Sequence, residues 1–225
     1  MTTIPHVLHQ VWIGGPPPAW VRRFWDSWDD ALATTDWTVE RHTDDNLAPD
    51  LAQLCANAQQ RGLTLRGTAD ILRLRILQQH GGVYTDSDTM PLVHGSDLVG
   101  RLTGDRTWYG VRPDMAPTVI ENGTIGAPPG APETAAVLAY AAEAMRRGLT
   151  SDHHVAGPAA TARALAATGV EQRTLTAVRG GPYAAAVRRG QMPDAARARA
   201  AHPHAAILHV LCNYGDWKGR RHDDA

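Results

Sequence analysis

Residues 67–92 read GTADILRLRILQQHGGVYTDSDTMPL, and this stretch decides the fold class. Gly67–His80 carries Ile71, Leu72, Leu74, Ile76 and Leu77, enough apolar side chains to bury most of a helix surface. Asp70 and Arg73 are three residues apart, so they leave the same side of that helix and can reach one shared target. Gly81 and Gly82 supply the left-handed backbone that lets the chain leave the helix. Val83 and Tyr84 then begin a short buried strand that ends in Asp86-Ser87-Asp88. Acidic residues at the carboxyl end of a strand in an open α/β sheet stand where such sheets bind ligands. Two carboxylates there suit a hard divalent cation, Mg²⁺ or Mn²⁺, which prefers oxygen donors and readily shares a phosphate. A chain with 18 aspartates contains about one Asp-x-Asp by chance. The ordered context of helix, Gly-Gly, strand and acids is what gives this one meaning.

Outward from this stretch the chain alternates strands and helices. Residues 4–13 run apolar into Gly14-Gly15-Pro16-Pro17-Pro18, as a first buried strand broken at its carboxyl end. That places Trp12 where a nucleotide base can stack on it, with the Val11 backbone at the base edge. Such stacking contributes about 1–3 kcal/mol; core packing is the competing role. Ala19–Ala33 is a helix whose Trp20, Phe24, Trp28 and Leu32 recur at four-residue spacing, a packing stripe. Thr38–Arg41 reads as a second strand and Asp45–Arg61 as a helix stopped by Gly62. Gly95–Leu102 is a short helix, Thr107–Val111 a strand, and Glu133–Arg147 an alanine-rich helix. Asn122-Gly123 fits a turn, and Gly157-Pro158 the start of another helix. Residues 170–204 are the least readable, with Arg188–Ala201 either a helix or a loop. Ala205–Leu211 is an apolar terminal strand. Strand–helix alternation of this kind argues an α/β fold with a mostly parallel central sheet flanked by helices.

The 225 residues suffice for one α/β domain with a substantial core. We therefore expect a single domain over 1–225, with a ligand-binding half over about 4–112 and a smaller half over 113–225. A net charge of −1 and the absence of a basic stripe exclude a nucleic-acid partner. No apolar run is long enough for a membrane span, and the N-terminus lacks a signal-peptide pattern. Cys55 and Cys212 lack metal spacing and read as free thiols in a reducing cytoplasm.

The segment Ala69-Asp70-Ile71-Leu72-Arg73 … Gly81-Gly82-Val83-Tyr84-Thr85-Asp86-Ser87-Asp88 closely resembles the sugar-binding region of glycosyltransferase family 32. That family includes yeast-type α-mannosyltransferases and has the large clostridial glucosylating toxins as structural cousins. Pro5-His6-Val7-Leu8-His9-Gln10-Val11-Trp12-Ile13-Gly14-Gly15 resembles the family's opening strand. The resemblance implies a GT-A-type domain with a Rossmann-like nucleotide-sugar half. It further implies a retaining transfer that gives α-linked products, with Mn²⁺ or Mg²⁺ as cofactor. A UDP-sugar is the implied donor, with GDP-mannose as the other choice.

By the same resemblance Asp88 ligates the metal and Asp86 holds the ribose or sugar and meets the metal through water. Asp70 and Arg73 clamp sugar hydroxyls, Tyr84 lies at the donor site, and Trp12 stacks on the base. Asn122 faces the donor sugar, and Gly157 lets backbone approach it. His209 or Asp216 is the implied third metal ligand and Trp217 lies near the diphosphate, although Asp216 stands where relatives usually have Ser. No second carboxylate is recognisable as a covalent nucleophile, so front-face attack is the default, the leaving phosphate taking the acceptor's proton. The acceptor is unknown, with a small natural product or glycan precursor favoured. Two other classes compete. A nucleotidyltransferase would want a glycine-rich phosphate loop opening a helix, whereas Gly14-Gly15 leads into three prolines. A non-catalytic sugar-nucleotide-binding module would bind the donor without turnover.

Overall fold

The computed structural model describes residues 3–112, 119–178 and 182–210. In chain order the elements are β1 (Val7–Trp12), α1 (Ala19–Leu32), β2 (Thr38–Thr43), α2 (Pro49–Gln60), α3 (Leu65–His80), β3 (Gly82–Thr85), β4 (Thr89–Pro91), α4 (Gly95–Leu102) and β5 (Trp108–Arg112). There follow β6 (Val119–Ala127), α5 (Pro132–Arg146), α6 (Asp152–Val155), α7 (Pro158–Leu165), β7 (Glu171–Arg173), β8 (Thr176–Val178), α8 (Pro182–Arg188), α9 (Ala195–Ala201) and β9 (Ile207–His209). Six strands form the central sheet in the order β2-β1-β3-β6-β5-β7. Only β6 runs against the others, being antiparallel to both β3 and β5. A second sheet has the order β4-β9-β8.

The central sheet is buried on both faces, as parallel sheets require. Successive side chains go to opposite layers. Tyr84 and Tyr109 pack with Leu72, Ile76 and Leu77 of α3 on one side, whereas Val83 and Trp108 pack with Trp28, Leu98 and Leu102 on the other. α3 lies deep in the first layer, with Leu72, Leu74, Ile76 and Leu77 all at most 1 % exposed. Its start is capped by the Thr64 side chain, which accepts from the Gly67 amide. Its end is turned by Gly81 at φ 67° and Gly82 at φ 98°, the left-handed exit that the sequence predicts. Among the described residues no helix is long and apolar enough to cross a membrane.

Two of the departures from the expected boundaries have a visible local cause. α2 begins at Pro49 rather than Asp45, because Asn46 Oδ1 accepts from the Thr43 amide at 2.7 Å and holds a turn there. Pro49 then serves as the first helical residue. Arg188–Ala201 is neither one helix nor one loop: α8 ends at Arg188 and α9 starts at Ala195 after the Asp194 cap.

Strands β1 and β2 also hold a pair of histidines together. His9 Nε2 lies 3.0 Å from the Gly81 carbonyl, which can only accept, so that nitrogen carries the proton. His9 Nδ1 faces His42 Nε2 at 3.1 Å. Burial pushes both imidazoles down to about 4, whereas in the unfolded chain they titrate near 6.5. Their contribution to stability is therefore complete above about pH 6.5 and is lost as the pH falls toward 4, on the order of 3 kcal/mol for His9. Urea midpoints at about pH 7 and about pH 4.5 should show this loss. His42→Gln should flatten it, and a wild-type slope in that variant would contradict the assignment.

Candidate active site

The carboxyl ends of β1 and β3 open onto a cavity of about 350 Å³. Its floor is the turn between β3 and β4. The Thr89 amide and hydroxyl donate to the Asp86 carbonyl at 3.1 and 2.6 Å, and the Asp86 amide donates to Gly123 at 2.8 Å. Between the two aspartates, Ser87 donates its hydroxyl to the Val11 carbonyl at 2.8 Å and accepts from Trp25 Nε1 at 3.3 Å. Ser87 thus ties the acidic turn to the end of β1, a role that the sequence reading missed.

β9 brings the third group. Thr89 pairs with His209 in the second sheet, which sets the His209 imidazole against both acids. Nε2 lies 3.1 Å from Asp88 Oδ1 and 3.4 Å from Asp86 Oδ2. Ligand atoms of Asp86, Asp88 and His209 all lie within 4.8 Å of one another. His209 is not a satisfied core histidine: its Nδ1 has no hydrogen-bond partner among the described residues, and Glu121 Oε1 is 3.7 Å away. Burial alone would push this imidazole down. The surrounding Asp88, Asp86 and Glu121 outweigh burial and raise it to about 10. Three carboxylates turned toward one buried ring make this a place that favours positive charge. Asp216 and Trp217, the other tail candidates, lie outside the described residues, as does Cys212.

Glu121 and Asn122 are neighbours in β6, yet both line the cavity. Regular alternation would send them to opposite faces. Pairing with β5 jumps from Ile125 opposite Tyr109 to Glu121 opposite Gly110, while Thr124 keeps its place opposite Thr85 of β3. Residues 122–124 therefore bulge away from β5, a device that re-aims side chains beside sites. Asn122-Gly123 is not a hairpin turn; flanking strands on both sides override the dipeptide's local preference. Gly123 is needed for close approach, since a Cβ there would lie 2.6 Å from Asp86 Oδ2 and 2.8 Å from His209 Cε1.

Asp70 and Arg73 form a buried network rather than a surface ion pair. Arg73 Nη2 lies 2.7 Å from Asp70 Oδ1 and 3.0 Å from Asp86 Oδ1, and its Nη1 donates to the Asn122 carbonyl. Its guanidinium stacks over the Tyr84 ring at 4.5 Å, and the Tyr84 hydroxyl donates to Asp86 Oδ1 at 2.9 Å. Asn122 Nδ2 donates to Asp70 Oδ1 at 3.1 Å. Burial would strip charge from Arg73, but Asp86, Tyr84 and Asp70 hold it firmly protonated. Burial pushes the Asp70 carboxyl up to about 7 against the opposing pull of Arg73.

Asp152 also lines the cavity, and accepts from the Thr64 amide at 3.1 Å and from the Thr64 hydroxyl. Gly67 has no side chain because a Cβ would strike Asp152 Oδ1 at 2.2 Å. Asp152 is far from α3 in sequence and carried no local signal. Gly157 lines the cavity while also capping α7. Trp12, another lining residue, is half-buried and meets Trp20 edge-on at 5.6 Å. Trp20 thus lines the cavity, whereas Phe24, Trp28 and Leu32 of its stripe are core.

This geometry has counterparts. Residues 33–101 match the family model described as "Glycosyltransferase sugar-binding region containing DXD motif", which spans α3, β3 and the acidic turn. Residues 33–101 are thus similar to a glycosyltransferase sugar-binding region. Solved glycosyltransferases share its fold. The PaToxG glycosyltransferase is 23 % identical, with 73 % of this chain and 69 % of that chain covered and a TM-score of 0.57. A glycosyltransferase involved in glycosylating the major capsid of PBCV-1 is 10 % identical, covers 94 % and 97 %, and has a TM-score of 0.56. The ligand-free glycosyltransferase domain of the YGT toxin is 13 % identical, covers 86 % and 80 %, and has a TM-score of 0.51. No curated protein sequence matches the chain. The mixed α/β architecture, with its mostly parallel sheet, is that of the GT-A glycosyltransferases.

Proposed function

We propose that this protein is a divalent-metal-dependent, retaining glycosyltransferase. It moves a hexose from a nucleotide sugar, a UDP-sugar in the first instance and GDP-mannose in the second, to a hydroxyl of a small natural product or glycan precursor. The observation that carries this reading is the convergence of Asp86, Asp88 and His209 in a cavity that Trp12, Asp70 and Asn122 also line. Two carboxylates and an imidazole whose Nε2 faces both of them fit Mn²⁺ or Mg²⁺, the imidazole ligating in its neutral form. When bound, the ion would neutralise the leaving diphosphate as a Lewis acid.

The chain's own residues do the rest. Asp88 and His209, with Asp86, would hold the ion. Arg73 is a positioning residue: it fixes Asp86 Oδ1 and the Asn122 carbonyl, and so presents Asp86 Oδ2 toward His209. Asp70 and Asn122 order the wall where the hexose sits. The cavity's remaining carboxylates are engaged, Asp70 by Arg73, Asp152 by Thr64, and Glu121 beside His209. That supports front-face attack, in which the acceptor's proton passes to the departing phosphate oxygen. We place the donor half over about 4–112 and the acceptor side over 113–225 of one domain. The buried free thiol of Cys55 fits a reducing cytoplasm.

Incubation with UDP-hexoses, Mn²⁺ and hydroxyl acceptors should release UDP and yield an α-glycoside by NMR. Release of pyrophosphate, a β-linked product, or tight donor binding without turnover across acceptors would each overturn the proposal. Trp12→Ala should weaken UDP binding by about 1–3 kcal/mol, roughly 5- to 150-fold in Kd by calorimetry. Unchanged affinity would assign Trp12 to packing alone.

A further inference from the structure

A second cluster of metal-ligating side chains stands on β1 and β2. We propose that His9, Glu40 and His42 form a site for a borderline divalent ion of the Zn²⁺ type, separate from the acidic turn. His9 and Glu40 are in register on the paired strands, and His42 follows Glu40 by two residues on the same face. His9 Nδ1 lies 3.1 Å from His42 Nε2 and 3.5 Å from Glu40 Oε2, and His42 Nε2 lies 4.0 Å from that oxygen. Ligands at about 2.0–2.1 Å in a tetrahedron stand about 3.3–3.4 Å apart, so the three atoms need only small shifts to share one ion.

The chemistry agrees with the spacing. The Gly81 carbonyl accepts a hydrogen bond from His9 Nε2–H, which turns the Nδ1 lone pair toward His42 and Glu40. Metal-bound histidines are typically oriented this way, by a hydrogen bond from the other ring nitrogen. Burial keeps both imidazoles neutral, the form that ligates. Two imidazoles with one carboxylate favour Zn²⁺, Ni²⁺ or Cu²⁺ over Mg²⁺. The Glu40 side chain is 55 % exposed, which opens a path from solvent. His80, exposed at the end of α3 with its ring 6.5 Å from that of His9, is within range to approach a fourth position. An ion here would clamp the edge strand β2 to β1.

The test is a Zn²⁺ titration of the metal-stripped chain against a chelating indicator, in an Asp88→Asn background that disables the acidic turn. The expected result is one equivalent of Zn²⁺, undisturbed by excess Mg²⁺, with affinity reduced about 100-fold by His42→Gln or Glu40→Gln. Circular dichroism of the metal-free variants checks the fold. If His42→Gln does not fold, the exposed Glu40→Gln decides by itself. Undiminished Zn²⁺ affinity in a folded variant would refute the site, as would ready displacement by Mg²⁺.

Discussion

Asp88→Asn should reduce metal-dependent release of nucleoside diphosphate by on the order of 10²–10³-fold, the cost of removing one group that stabilises developing charge. The amide keeps an acceptor oxygen opposite His209 Nε2, where Asp88 Oδ1 now stands at 3.1 Å, so shape is preserved while a charged ligand is lost. Raising Mn²⁺ should recover part of the rate, because weaker ion binding is the immediate lesion. The variant should remain folded by circular dichroism. Activity within about threefold of wild type would remove Asp88 from the metal site, since even one lost charge-stabilising donor costs far more.

The second large effect is on stability. Arg73→Leu should destabilise the fold by about 3–5 kcal/mol, because it leaves buried carboxylates without their counter-charge. Arg73 is 4 % exposed and Asp70 6 %, and one guanidinium nitrogen serves both Asp70 and Asp86. Arg73→Lys should rescue little, since a point charge cannot reach two carboxylates and the Asn122 carbonyl at once. Adding Asp70→Leu to Arg73→Leu should recover part of the loss by removing one stranded acid. Urea unfolding reads all three variants. A penalty below about 1 kcal/mol, the size of a surface pair, would mean that the network matters only for orientation.

What could be read in the sequence was local. α1, α3, β3 and α4 come from apolar periodicity and glycine stops, and α3 with its Gly81-Gly82 exit is as expected. The alignment of Asp70 with Arg73 on one helix face also follows from spacing alone. That both also meet Asn122, and that Arg73 meets Asp86, was not visible. Glu121 stayed hidden because strand alternation gives no hint of a bulge, although its place beside Asn122 and Gly123 was a signal available in hindsight. Asp152 and Ser87 act through backbone groups far away in sequence, which no local pattern encodes. The His9–His42 pair needed the parallel register of β1 and β2, and that register is a tertiary fact.

The pairing of β4 with β9 has a consequence for biosynthesis. During translation the two aspartates emerge long before His209, and the strand that carries it can dock only after all the elements from α4 to α9 have been made. A nascent chain thus has donors for a cation but no complete cage. Strong ion capture should begin only once β9 has left the ribosome and zipped onto Thr89–Pro91, so metallation would report that β9 has found its place.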